Sequence, residues 1–341
     1  MYYFCTYFDI NYLPQGLALY NSLKRQCPEF RLAILCMDND VHEVLEDMAL
    51  PETDLISLQE FEKDDQLLLA AKRNRSKIEY FFTCTPSLPL FVFRKYPDVD
   101  LITYLDADLF FYTHPKPIFQ KLINYSIGII PHRYASRYRI MEPYGFYNVG
   151  WLSFRRDRNA ILCLNWWREK CAEWCFKKPE DNRFADQKYL DEWPILFDGV
   201  KEIEHKGANL ACWNSENYSI KLQGKEVMVD EQELIFYHFH RFRKLTKRVY
   251  GTGYHQTRAN KTIRNYIYKP YMDALLDVKR ELSGNQKYRR KLDESRHHPN
   301  QNQNISNILH RLGSLVYRLL VSGNYIVAPA SLSKRVYRDR V

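Results

Sequence analysis

Apolar and polar residues alternate along the chain with two periods. Residues 2–8 form a largely apolar and aromatic run that closes at Asp9, as a strand does; residues 14–27 place Leu17, Tyr20, Leu23 and Cys27 at helical spacing behind Pro14. A second apolar run over 31–37 closes at Asp38-Asn39-Asp40 and completes a strand, helix, strand unit. Further strands are predicted at 100–105, 126–130, 147–154 and 234–239, and helices at 158–176 and 184–192. This alternation predicts a mixed α/β fold around a mostly parallel central sheet. Beyond residue 245 the pattern changes. Residues 246–304 are polar and charged, His297 to Asn304 read as a linker or loop, and Ile305, Ile308, Leu309, Leu312, Leu315, Val316, Leu319 and Leu320 then form an apolar stripe. The expected organisation is a globular domain over 1–245 and a basic, mainly helical extension over 246–341, with an amphipathic helix near 305–322.

The strand predicted at 100–105 ends in Asp106-Ala107-Asp108, two carboxylates one residue apart where the chain leaves the core. In open α/β sheets that edge is where ligands bind, and carboxylate oxygens suit Mg²⁺ or Mn²⁺ bridging phosphate oxygens. A diphosphate-bearing substrate fits such a place.

Charge alters the picture of the extension. The formal net charge is +9, but residues 241–341 carry 22 Lys+Arg against 6 Asp+Glu, a local +16, which leaves −7 for residues 1–240. An anionic partner for the extension is implied, with membrane phospholipid, nucleic acid and a lipid-linked diphosphate all compatible. None of the eight cysteines stands in a C-x-x-C pair, and Cys163, Cys171 and Cys175 recur at helical spacing beside Trp167 and Trp174, so they read as buried thiols. With no basic leader at Met1 and no run of apolar residues long enough to span a bilayer, a cytoplasmic location is expected. The 12 glycines include no G-x-G-x-x-G and no G-x-x-x-x-G-K, so metal and basic side chains, rather than a glycine-rich cradle, must neutralise any phosphate.

Five short motifs occur in a telling order: Asp9-Ile10-Asn11-Tyr12, Tyr104-Leu105-Asp106-Ala107-Asp108, Tyr147-Asn148-Val149-Gly150, Asp186-Gln187 and Tyr237-His238-Phe239-His240. In this order the chain resembles the retaining glycosyltransferases of family 8, which have the GT-A fold. Through Glu79-Tyr80, Thr83-Cys84-Thr85-Pro86-Ser87 and Asp186-Gln187-Lys188-Tyr189-Leu190 it is more similar still to a group of glycosyltransferases encoded with bacterial surface-polysaccharide genes. The resemblance covers roughly residues 1–245.

It implies that Asp9 and Asn11 face a nucleotide base and Tyr12 stacks on it, with UDP as the nucleotide, although Asx residues here also serve as a turn and helix cap. Asp106, Asp108 and His238 become the metal ligands, with Mn²⁺ (or Mg²⁺) as the cofactor. His240 is the rival to His238, because the two point to opposite faces if the segment is a strand. Arg75 and Lys77, with Arg241, Arg243 and Lys244, are candidates to hold the diphosphate of the nucleotide-sugar donor. Asp186 and Gln187 match a pair that lies beside the transferred sugar, although Lys188 stands where the family has a second Asp. His132, Asn148, Trp213 and Asn214 are candidates for the acceptor side, with a packed Trp as the plainer reading of Trp213. The implied acceptor is a glycan or a lipid-linked glycan in surface polysaccharide or lipopolysaccharide synthesis, and the extension would attach the protein peripherally to the membrane. Two alternatives stand beside this reading: a sugar-nucleotide nucleotidyltransferase, weakened by the missing glycine-rich loop, and a non-catalytic basic adaptor for membrane or nucleic acid. Nucleic acid is the less favoured partner because the carboxylate and histidine set would then have no task.

Overall fold

The structure is a computed structural model that describes residues 1–245, 249–253, 259–296 and 325–327. The predicted amphipathic helix near 305–322 and the linker before it lie outside the described residues.

Strands β1 (Tyr2–Phe8), β2 (Phe30–Cys36), β3 (Thr53–Ser57) and β4 (Leu101–Leu105) are followed by β5 (Leu109–Phe111), which leaves for a second sheet, and then by β6 (Ile127–Pro131), β7 (Tyr147–Arg155) and β8 (Val200–Glu202). Seven of them form the central sheet in the order β3-β2-β1-β4-β7-β6-β8. Only β7 runs antiparallel to its neighbours, so the sheet is mixed and mostly parallel, as the alternation predicts. Helix α1 (Leu13–Gln26) returns the chain from β1 to β2, and α2 (Asn39–Met48), capped by Asp38 at its N-terminus, leads to β3.

Between β3 and β4 lie four short helices, α3 (Leu58–Glu62), α4 (Gln66–Lys72), α5 (Lys77–Cys84) and α6 (Ser87–Lys95). A capping box between Ser76 and Glu79 starts α5. After β5 comes α7 (Lys116–Lys121), and α8 (Arg158–Glu173) follows β7. Helix α8 stops short of the predicted residue 176 because Trp174 is extended. The helix expected over 184–192 shrinks to a 3₁₀ turn, Lys188–Glu192, since Ala185 adopts a left-handed φ of 46° that an α-helix cannot accommodate. A single turn, α9 (Trp193–Leu196), closes that segment.

A smaller layer supports one end of the sheet. β9 (Leu210–Ala211) and β5 flank a later strand, and a meander of β10 (Ile220–Gln223), β11 (Glu226–Val229) and β12 (Gln232–Glu233) precedes it. That later strand is β13 (Phe236–His238), antiparallel to β5 and parallel to β9. It is shorter than the predicted 234–239. An outer ribbon of β14 (Arg243–Lys244), β15 (Val249–Gly251) and β16 (Tyr325–Val327) follows.

The chain then returns to the core. A π-helical turn, Ile263–Tyr268, enters α10 (Lys269–Gly284), and α11 (Gln286–Arg296) comes next. Val278, Leu282, Tyr288 and Leu292 share one buried core with Leu17, Leu45 and Trp151. Lys287 pairs with Asp47 at 2.5 Å, and Lys291 with Asp40 at 2.5 Å and Glu43 at 2.9 Å. Across the expected boundary at residue 245, the apolar positions of 278–292 thus pack into the same core as α1 and α2. All eight cysteines are buried free thiols, as their apolar spacing predicts.

Candidate functional site

The Asp106-Ala107-Asp108 turn is built by three pairings. The last pair of the β4–β7 ladder is Leu105 with Trp151, and the Asp106 amide then donates to the Gly150 carbonyl at 3.0 Å. A tight turn returns the Leu109 amide to the Asp106 carbonyl at 3.2 Å, while Ala107 packs into the core. β5 then pairs with β13 so that His238 lies opposite Leu109 and beside Asp108. His238 Nε2 is 3.1 Å from an Asp108 carboxylate oxygen and 3.6 Å from one of Asp106.

His240 joins the same group: ligand atoms of Asp108, His238 and His240 all lie within 4.8 Å of one another. The rivalry expected between the two histidines disappears because β13 ends at His238. The chain turns there, with Phe239 donating to the Asp108 carbonyl at 3.0 Å and Arg241 at a φ of 61°, so strand alternation no longer sends His240 to the other face. Trp213 packs edge-on against both rings, at 5.2 and 5.8 Å.

Electrostatics within the cluster are mutual. Desolvation pushes the Asp106 carboxyl up to about 6, with Asp108 adding and His238 opposing. Burial raises Asp108 too, yet the charge and hydrogen bond of His238 outweigh it and the carboxyl ends below its ordinary value. Burial lowers His238, but Asp108 and then Asp106 more than compensate. Two carboxylates and at least one imidazole nitrogen therefore converge on one point. That donor set, richer in oxygen than a zinc site and free of thiolate, fits Mn²⁺ or Mg²⁺.

A third carboxylate stands close by. Asp186 is 4% exposed, and desolvation drives its pKa up to about 7, with a hydrogen bond from Thr85 acting against the rise and the Asp106 charge adding to it. Thr85, between α5 and α6, is 3.1 Å from the Tyr7 hydroxyl on β1. The Tyr7 ring packs on Tyr104 at 5.7 Å, and the Tyr104 hydroxyl donates to Asp106 at 2.9 Å. Tyr7 and Thr85 were not among the expected site residues. Thr85 lies in the Thr83-to-Ser87 motif of the resemblance, which gave it no role, and Tyr7 is one of several aromatic residues in its apolar run, so neither stood out. Gln187 is oriented by its own amide, donating to the Tyr144 carbonyl at 2.9 Å and accepting from Asn148 at 3.2 Å.

At the other lip, Asp9 accepts from the Asn11 and Tyr12 amides at 3.1 and 3.2 Å and from the Asn11 side chain at 3.2 Å, and it pairs with Lys77 at 2.7 Å. The turn reading of Asp9 is thus realised, whereas the cap is not, since α1 starts after Tyr12 with no side-chain cap. Tyr12 is half exposed and near Asp106 and Asp108, which leaves ring surface for a ligand. Lys77 stands at this lip, whereas Arg75 does not serve it: its guanidinium donates to the Ala172 and Glu173 carbonyls at 3.1 and 3.2 Å and stacks on Phe176. Arg75 thereby closes the C-terminal end of α8.

The four residues expected on the acceptor side form instead the layer behind His238. Trp213 Nε1 and Asn214 Nδ2 both donate to the His132 carbonyl, at 3.0 and 2.9 Å, and Asn214 also accepts from Ala211 at 2.9 Å. Asn148 reaches His238 Nδ1 with Oδ1 at 3.1 Å and His132 Nε2 with Nδ2 at 3.1 Å. All four are buried, with their side-chain polar groups engaged in these contacts.

No protein-family model matches the sequence. The chain is 34% identical over 248 residues to the uncharacterized protein YfnF of Bacillus subtilis (strain 168), a match spanning 70% of this chain and 81% of YfnF. With the uncharacterized protein YfnD of the same organism the identity is 30% over 282 residues, spanning 82% and 89%. The chain belongs to the YfnF and YfnD family. Among solved structures it is similar to the galactosyltransferase LgtC in complex with donor and acceptor sugar analogues, at 12% identity, a TM-score of 0.49 and coverage of 81% of this chain and 95% of that one. It is also similar to the glycosyltransferase GlyE of Streptococcus pneumoniae TIGR4, at 14% identity, a TM-score of 0.46 and coverage of 89% and 66%. This YfnF and YfnD relative has, among its described residues, no helix long and apolar enough to cross a membrane.

Proposed function

We propose that this protein is a metal-dependent glycosyltransferase of the GT-A type, which moves a sugar from a nucleotide-diphosphate donor, UDP in our reading, to a glycan or lipid-linked acceptor. The observation that carries the proposal is the convergence of Asp106, Asp108 and His238 at the end of β4, with Asp186 and Gln187 beside them and the exposed face of Tyr12 across the lip. A bound Mn²⁺ or Mg²⁺ supplies charge neutralisation to the departing nucleotide diphosphate. Asp106, Asp108 and His238 hold that ion, with His240 adjoining them.

The remaining residues divide the donor between them. Tyr12 stacks on the base, and the Lys77 ammonium, balanced by Asp9, meets base or phosphate. Asp186 faces the sugar; at neutral pH it is poised between its acid and carboxylate forms, able to donate to or accept from a sugar hydroxyl. The fixed Gln187 amide orients the anomeric centre. Retention of anomeric configuration and a role in surface-polysaccharide synthesis are proposed from the family 8 resemblance of the motifs, and peripheral membrane attachment from the basic extension. Calorimetric titration with UDP and GDP, with and without Mn²⁺, tests the reading on the full chain and on Asp108→Ala. Metal-dependent UDP binding lost in the variant is expected; no nucleotide binding under any condition overturns it.

A further inference from the structure

The side chains behind His238 form a chain of hydrogen bonds whose polarity is fixed from one end. The Phe146 carbonyl can only accept, and His132 Nδ1 lies 3.2 Å from it, so Nδ1 carries the ring hydrogen. Burial holds the His132 pKa down at about 3, which leaves the ring neutral and its Nε2 an acceptor. Asn148 must therefore turn its NH₂ toward His132 Nε2. The second hydrogen of that NH₂ goes to Gln187 Oε1, which is free to accept because Gln187 Nε2 donates to Tyr144.

With its nitrogen so engaged, Asn148 presents Oδ1 to the Gly150 amide at 3.1 Å and to His238 Nδ1 at 3.1 Å. His238 thus keeps a hydrogen on Nδ1. In the neutral ring Nε2 then has a lone pair aimed at the carboxylates of Asp106 and Asp108. A lone pair facing carboxylate oxygens is repulsive unless a cation lies between them, a proton on Nε2 when no metal is bound and a metal ion in its place when one is. The chain of contacts selects the metal-binding tautomer of His238.

Space as well as polarity is reserved for this arrangement. A Cβ on Gly150 would lie 2.7 Å from Asn148 Oδ1 and 2.9 Å from His238 Nδ1, so the Asn148-Val149-Gly150 motif requires its glycine for the amide and the ring to meet.

We infer that His132 and Asn148 are positioning residues for the metal, with His132 acting only through the Asn148 amide to set the tautomer of His238. The inference rests on the metal reading of the proposed function. It assigns His132 and Asn148 a task different from the acceptor contact suggested by sequence, and it ties Gln187 to the metal pole through one shared amide.

Calorimetry or electron paramagnetic resonance with Mn²⁺ alone, on the full chain, tests it without any turnover. Asn148→Ala is expected to weaken Mn²⁺ binding by about 10–100-fold, the range typical of groups that orient metal-bound histidines. His132→Phe, which keeps the shape but has neither donor nor acceptor, is expected to weaken it by about 10-fold. His132→Gln, whose amide offers one of each, should recover most of that loss. The double variant His132→Phe/Asn148→Ala should bind no more weakly than Asn148→Ala alone, because the first residue works through the second. Additive losses, or a Gln variant as weak as the Phe variant, overturn the inference and leave the metal site standing. A wild-type chain that binds no Mn²⁺ overturns the metal reading itself, and the inference with it.

Discussion

Among the described residues, two places bring three metal-type ligands within 4.8 Å: Asp108, His238 and His240 at one end of the sheet, and Cys27, Glu29 and His114 at the opposite end of β1. Counted by ligand atoms they look alike, but their surroundings differ. At His114 the Lys116 amide donates to Nδ1 at 2.9 Å, which puts the ring hydrogen on Nε2, directed at Glu29 3.1 Å away. That is an ordinary hydrogen bond with no lone pair to offer, and burial, aided by Glu29, pushes the Cys27 thiol up to about 12. At His238 the partner behind the ring takes a hydrogen rather than giving one. The group behind the ligand decides whether a histidine and a carboxylate make a metal site or a polar contact.

The most forceful way to break this contrast is Asp108→Ala. Loss of one of the two carboxylates should reduce Mn²⁺ affinity by more than about 100-fold, beyond the range of substitutions that act only by orienting a ligand, and abolish release of sugar from a UDP-sugar. Wild-type affinity in the variant would move the metal elsewhere.

The next effect in size concerns pH. Asp186 titrates near 7 in the folded protein against about 3.8 unfolded, so its contribution to stability is present at low pH and lost as pH rises through 7. His132, held down at about 3, works in the opposite sense, so the useful quantity is the difference between wild type and Asp186→Asn. In metal-free protein the stability advantage of the Asn variant should grow by about 2 kcal/mol between pH 5.5 and pH 8, read from urea unfolding. A difference independent of pH would show that Asp186 is not held neutral by its burial.

A smaller change is expected from Tyr12→Ala. Losing one stacked base costs about 1–3 kcal/mol, so UDP binding should weaken by about 5- to 150-fold while Mn²⁺ binding alone is unchanged. The smallest effect sharpens the comparison from its other side: His114→Ala should leave Mn²⁺ affinity within about twofold of wild type, since the ring there offers no ligand atom. A larger loss would make the Cys27 cluster a true site.

Much of this was legible along the chain where a local rule sufficed. Asp106 and Asp108 could be read because a buried strand announces its own end, and Asp9 because a carboxylate after a strand and before Pro14 caps a turn. What could not be read depends on residues far apart in sequence. Arg75 is drawn to the end of α8 by carbonyls nearly a hundred positions away, and no nearby residue signals it. The hydrogen bonds that join His132, Asn148 and Asn214 to one another and to His238 could not be read either, since they link positions 16 to 90 residues apart. The competition between His238 and His240 turned on where a strand stops, and a three-residue strand stopped between them. The helical return of 269–292 onto α1 escaped notice because its polar residues dominate its composition, while a few of its apolar ones do the packing.

That return has a consequence for the order in which the protein is made. Synthesis proceeds from the amino end, so Asp106 and Asp108 leave the ribosome long before His238, and His238 before the helix that backs it. Tyr271 on α10 stacks at 3.7 Å on Phe239, the neighbour of His238, and Lys287 and Lys291 clamp the following helix to α2. A nascent chain can lay down the central sheet early, yet the packing of Tyr271 behind the strand that carries His238 waits for α10 to emerge, so on the proposed reading metal capture belongs among the later events of folding.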